Sequence, residues 1–187
     1  MVMYKARLSL LLAAAAFLTG CSTESADDTT MAASVGNSHI NPLGEADMSM
    51  KTLRPEAPSQ LVVTKVRVGQ HDGFERAVFE LEGEGSPGWF VDYADNPKQQ
   101  GSGQPINYAG DTALNVNIDG VVYPFEAGID EPRIGIVDAP AGGVITQVVN
   151  GRTYEGRSQF VIGMNQRKPY SVQVLENPTR LVVDIRS

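Results

Sequence analysis

The chain has 187 residues and a mass of 20.1 kDa, room for one domain of ordinary size plus a tail. Hydrophobic residues make up 42%, charged residues 20%, and there are 19 glycines and 11 prolines, a balance that excludes a disordered or collagen-like chain and suits a turn-rich fold. Acidic residues exceed basic ones, 22 to 15, for a formal charge of −7, so a nucleic-acid partner is not expected: neutralising phosphates needs a basic surface.

Lys5 and Arg7 precede the apolar run 8–18 (LSLLLAAAAFL), the charged start and short hydrophobic centre of an export signal. The run is roughly half of what a bilayer span requires. It ends in Leu18-Thr19-Gly20-Cys21, an order that resembles the bacterial lipoprotein box, in which cleavage leaves a cysteine at the new N-terminus to carry diacylglycerol. Cys21 is therefore the expected lipidation site, and residues 1–20 the lipoprotein signal peptide. The expected location is the outer face of the cytoplasmic membrane, held there by lipid. Cys21 is the single cysteine, so no intramolecular disulfide can staple the fold, which must be stable from its core alone.

Residues 21–60 show no period of 2 or 3.6 and carry Pro42, Pro55 and Pro58, which reads as a flexible tether with a root-mean-square reach of about 35 Å. A short helix at 45–50 has too little apolar surface to matter. From residue 61 the texture changes to short β-rich runs broken by turn signals, so the domain at 61–187 is predicted to be all-β, a sandwich or a partly open barrel. Expected strands cover 62–68, 74–81, 89–93, 114–118, 121–125, 144–149, 160–164, 170–175 and 181–185. Residues 69–73 (GQHDG) form a hairpin loop between the first two. Asn150-Gly151 is the best tight-hairpin signal, because both central residues of a type I′ turn need positive φ, and Asp119-Gly120 is a weaker copy.

Two strands repeat one pattern: Arg76-Ala77-Val78-Phe79-Glu80-Leu81 and Arg180-Leu181-Val182-Val183-Asp184-Ile185. At period 2 the charged residues of each share a face, and Ala77, Phe79 and Leu81 share the other. Laid antiparallel with Val78 opposite Val182, the strands set Arg76 against Asp184 and Arg180 against Glu80. Two half-exposed strands that never touch would carry the same pattern.

These segments, with Pro87-Gly88-Trp89, the 89–93 run, Gly101-Ser102-Gly103, Pro105 and the closing NPTRLVVDI, resemble the AMIN-like domain of actinobacterial secreted proteins and lipoproteins. The resemblance spans residues 61–186 and is looser over 108–143. It implies a β-sandwich distantly related to the AMIN domains of cell-wall amidases and secretins, which are non-catalytic modules that bind peptidoglycan. On that basis the expected function is a lipid-anchored envelope module contacting peptidoglycan or another wall polymer. The alternative is a protein-protein module recruiting or regulating a wall hydrolase or synthase. A carrier of an apolar ligand between the sheets is a further competitor.

Chemistry is sparse. The two histidines, His39 and His71, fall in the tether and in a loop, so no zinc site is expected, and no cofactor is implied. His71-Asp72 lacks a serine on a nucleophile turn, and Gly101-Ser102-Gly103 lacks the lysine of a phosphate loop. The carboxylate pairs Asp92 with Asp95 and Glu80 with Glu82 have no marked groove beside them. Aromatic residues are the better signal, since sugars stack on flat apolar faces. Trp89, the single tryptophan, shares a strand face with Tyr93, either facing the core or exposed. Trp89, Tyr93, Tyr154 and Arg152 are the candidate glycan-binding residues; Tyr108, Tyr123 and Tyr170 are ambiguous. Arg133, Arg157 and Arg167-Lys168 could add positive charge for stem-peptide carboxylates.

Overall fold

In a β-strand successive side chains point to opposite faces, so the alternating runs above must each bury one face against a second sheet. The computed structural model describes residues 42–187. The expected leader, Cys21, His39 and the first part of the expected tether lie outside the described residues. The elements are β1 (Lys51–Leu53), β2 (Glu56–His71), β3 (Phe74–Ser86), β4 (Gly88–Tyr93), β5 (Thr112–Asp119), a 3-10 turn (Pro124–Glu126), β6 (Ile136–Asp138), β7 (Ile145–Tyr154), β8 (Arg157–Met164), β9 (Tyr170–Leu175) and β10 (Arg180–Arg186). Two antiparallel sheets result, one ordered β2-β3-β10-β9 and the other β1-β4-β5-β8-β7-β6. They pack face to face as a β-sandwich. Phe79 and Phe160 meet in the core with ring centroids 4.9 Å apart, surrounded by Leu81, Leu114, Val116, Ile118, Ile162 and Leu181.

β3 and β10 are neighbours with Val78 opposite Val182, Arg76 opposite Asp184 and Glu80 opposite Arg180. Arg76 forks onto Asp184, Nε donating to Oδ1 at 2.6 Å and Nη2 to Oδ2 at 2.7 Å. The other cross-strand pair does not close. Glu80 accepts instead from Arg67 Nε on β2 at 2.7 Å, while Arg180 donates to the carbonyls of Pro178 and Glu176. The difference follows from setting: Asp184 has 0% of its surface exposed and must be met by a donor, whereas Glu80 and Arg67 stand in water where the choice of partner costs little.

Asp184 also accepts the backbone N–H of Leu43 at 3.2 Å, which brings the chain before β1 to this sheet. Asp47 then exchanges two backbone hydrogen bonds with Tyr170 on edge strand β9, and β1 pairs with β4 in the other sheet. Residues 43–53 thus strap one sheet to the other. This corrects the reading of a tether that lasts to residue 60, and turns with an isolated bridge replace the short helix at 45–50. The physical reason is that edge strands offer unpaired backbone groups, and a segment that uses its backbone to fill them needs no side-chain period. Lys51 and Ser49 hold the Asp47 carboxylate, lowering its pKa to about 2. Tyr170, buried under the strap, donates its hydroxyl to the carbonyl of Val91 at 2.9 Å across the sandwich.

Glu75, on the inward face of β3, is buried and receives the backbone N–H groups of Val144 at 2.5 Å and Ile145 at 2.8 Å from the opposite sheet. On the outer face of the six-stranded sheet, Asn115, Asn117 and Gln159 stand where water would be expected. Residues 94–111 fold over them: Gln100 Nε2 donates to Asn117 at 2.7 Å, and Gln159 Nε2 donates to Asn115 and to the Lys98 carbonyl, each at 2.9 Å.

Two turn assignments change. Asn150-Gly151 is no hairpin turn: β7 runs through it to Tyr154, with a register shift between Asn150 and Arg152. The turn is Glu155-Gly156, with φ of 46° and 79°, the conformation that the type I′ argument assigned to the earlier dipeptide. Asp119-Gly120 does not fold back into a hairpin. Val121 makes an isolated parallel bridge to Leu61, and Pro124, which has no N–H to give to a ladder, opens the 3-10 turn where a strand to residue 125 was expected. Asp72-Gly73 does turn between β2 and β3.

Removing one partner from a buried pair strands the other charge. Asp184→Ala is therefore expected to lower stability by about 3 kcal/mol in urea denaturation, while Glu80→Gln stays within about 0.5 kcal/mol of wild type.

Candidate functional site

β2 and β6 are edge strands of different sheets, and β2 approaches both β6 and β7 on the flank away from the strap. A groove of about 480 Å³ opens there, with Val63, Phe160 and Ile134 among its apolar lining and Tyr123, Glu131, Arg152 and Thr153 among its more polar members. Its volume falls in the range of small-ligand sites.

Arg152 reaches this groove by an unusual backbone. The bulge at Asn150-Gly151-Arg152 holds it at a φ of 79°, a left-handed conformation that costs a non-glycine residue of order 1 kcal/mol. Gly151 is needed for space rather than for its φ: a Cβ there would lie 3.0 Å from both Gln159 Cγ and Ile106 Cδ1. Asn150 fixes both walls. Its Oδ1 accepts the Arg152 N–H at 2.8 Å, its Nδ2 donates to the Ile134 carbonyl at 2.9 Å, and its N–H donates to the Gly135 carbonyl at 3.1 Å. Arg152 and Glu131 take part in no salt bridge among the described residues.

Exposed aromatic rings stand beside the groove. Tyr123 and Phe125 stack with centroids 5.6 Å apart and planes 8° from parallel, and Phe125 is 77% exposed. Tyr154, 41% exposed at the end of β7, is close enough to Tyr123 for the phenols to interact electrostatically. Its phenol pKa is raised, chiefly by a hydrogen bond to the Glu155 carboxylate. The Tyr154 ring lies on Gly101, where a Cβ would come within 2.9 Å of Cε2, so the bare backbone of Gly101 forms the seat of that ring.

Of the four candidate glycan-binding residues, the structure brings Tyr154 and Arg152 to this flank and holds Trp89 and Tyr93 elsewhere. Trp89 and Tyr93 are partly buried on the inward face of β4, against the core. The Tyr93 hydroxyl donates to the Lys168 carbonyl at 2.5 Å and accepts the Lys168 N–H at 2.8 Å, and Arg167 covers its ring at 4.9 Å. Burial raises the Tyr93 pKa, with the Lys168 N–H and the Arg167 charge opposing. Arg157 forks onto Asp119 and Arg167 pairs with Asp95, so both of these guanidiniums are committed. His71 stacks on Phe74 at 4.6 Å. Sequence alone places Phe125 at the end of an expected strand, 121–125, and Glu131 in a run without period, so neither stands out as a site residue; Pro124 and Pro132, which flank the segment, are the one signal that it leaves the ladder. Among the described residues no group of three His, Cys, Asp or Glu side chains could hold a metal ion.

A family model for the AMIN-like domain matches residues 61–187. The chain belongs to the AMIN-like domain family. No curated protein and no solved structure matches it. AMIN-like domains are generally non-catalytic modules for binding or localisation, and membership suggests a cell-wall-associated binding module with a wall-related partner and an extracytoplasmic location. No helix among the described residues is long and apolar enough to cross a membrane.

Glycine accepts the left-handed conformation that Arg152 is forced into. Arg152→Gly in this AMIN-like domain is accordingly expected to raise unfolding stability by about 0.5–1 kcal/mol in urea denaturation, which would mark the native arginine as kept for something other than stability.

Proposed function

We propose that this chain is a non-catalytic envelope module that contacts peptidoglycan through the flank formed by Tyr123, Phe125, Tyr154 and Arg152, held at the outer face of the cytoplasmic membrane by lipid on Cys21. The observation that carries the reading is the coincidence of exposed aromatic rings with a groove between the sheets: solvent-facing aromatic surface is costly unless a partner covers it, and flat rings beside polar groups suit sugars. The other two candidates, Trp89 and Tyr93, act in this reading as core residues that hold β4 in place.

A protein partner is the second reading, favoured by Ile136, 62% exposed on edge strand β6, where backbone groups remain open to strand addition. Sedimentation of the purified full chain with insoluble sacculi, over a salt series, separates the two. The wall reading expects saturable retention that falls about tenfold in Tyr123→Ala/Tyr154→Ala while folding is kept. Retention equal to wild type in that folded variant, or no retention at low salt, would turn the reading toward a protein partner. Cys21→Ser should release the chain from the membrane fraction of cells, and persistence there would contradict the lipid anchor.

A further inference from the structure

The groove carries two opposite charges that do not neutralise each other. Arg152 and Glu131 both line it, and neither forms a salt bridge among the described residues. Asn150 holds the β7 bulge that bears Arg152 and, through Ile134 and Gly135, the segment that bears Glu131. One residue thus ties together the two chain segments that bring a cation and an anion to the groove, beside an apolar lining of Val63, Phe160 and Ile134. The backbone strain at Arg152 is the second sign that this charge is aimed, because left-handed non-glycine residues persist where the surroundings impose them and bulges re-aim side chains at sites.

We infer that the groove binds the zwitterionic end of a diamino acid in an uncrosslinked wall stem peptide, its carboxylate on Arg152, its ammonium on Glu131 and its methylene chain along the apolar lining. A guanidinium takes a carboxylate through two parallel hydrogen bonds, and a carboxylate takes an ammonium as a point charge. A neutral glycan presents neither group, and a crosslinked peptide has lost the amine to an amide. The inference rests on the peptidoglycan reading and narrows it: the aromatic rim meets sugar, and the groove reads the free peptide end. A chain with this specificity would mark wall that has yet to be crosslinked, or that has been cut.

The test is fluorescence anisotropy of the purified full chain with three probes labelled on the sugar: a disaccharide-peptide with a free diamino-acid end, the same probe acetylated on that amine, and the disaccharide alone. Arg152→Gln and Glu131→Gln, with thermal melts confirming folding, should each weaken binding of the first probe about tenfold or more. Acetylation should weaken wild type by a similar factor and abolish the effect of Glu131→Gln. Arg186→Gln, exposed at the end of β10 and outside the groove lining, should bind as wild type. Folded charge variants that bind like wild type, equal binding of the peptide-free disaccharide, or no probe binding by a chain that still sediments with sacculi would overturn this inference and leave wall contact standing. Failure to bind both the probes and sacculi would defeat both.

Discussion

Asp184 is a carboxylate with no exposed surface on a sheet face that would otherwise be wet, and much of the architecture answers the need to satisfy it. An unpaired charge in that position is untenable, so Arg76 supplies a two-pronged partner and the backbone of Leu43 a further donor. The first contact fixes the register of β3 against β10. The second draws the chain before β1 over the sheet and starts the strap that joins β9 to β4. A chain with one cysteine has no disulfide to do this work, and buried polar groups take the role of staples.

The same device recurs. Glu75 holds residues 144–145 across the sandwich, Asn117 and Gln159 hold residues 94–111 over the second sheet, and Asn150 holds residues 134–135 beside β7. In each case a side chain on a strand satisfies backbone or amide groups of a segment distant in sequence that packs beside it. Ser171 Oγ is the one buried side-chain polar atom without a partner among the described residues. Segments pinned in this way lose little entropy on meeting a ligand, so the groove and its aromatic rim are organised before binding. Residues 131–135, a segment with no strand period, consequently furnish part of the groove lining.

What could be read in the sequence was whatever depends on side-chain alternation. β9 matches its expected bounds, and the strands around Phe79, Leu114, Phe160 and Leu181 lie where apolar residues repeat at period 2, because burying one face of a sheet writes that pattern directly. What was hidden depends on backbone pairing or on distant partners. The strap uses main-chain groups and leaves Met48, Met50 and Leu53 exposed, so no pattern announces it. Asn150-Gly151 has turn chemistry, yet the ladder to β8 continues past it and turns at Glu155-Gly156, where glutamate gives no warning of positive φ. Tyr154 and Arg152 could be named from residue type alone. Their meeting with Tyr123, Phe125 and Glu131 could not, since it depends on how residues 122–135 cross the flank.

The central claim is that one preformed flank of this AMIN-like domain meets the wall. The most direct measurement is a two-dimensional amide NMR titration of the isotope-labelled chain with soluble peptidoglycan fragments. The account predicts shifts concentrated at Tyr123, Phe125, Glu131, Arg152 and Tyr154, with Trp89, Tyr93 and the Arg76–Asp184 strands unmoved. Shifts centred instead on β1 or the exposed face of the four-stranded sheet, or none at saturating fragment, would contradict it.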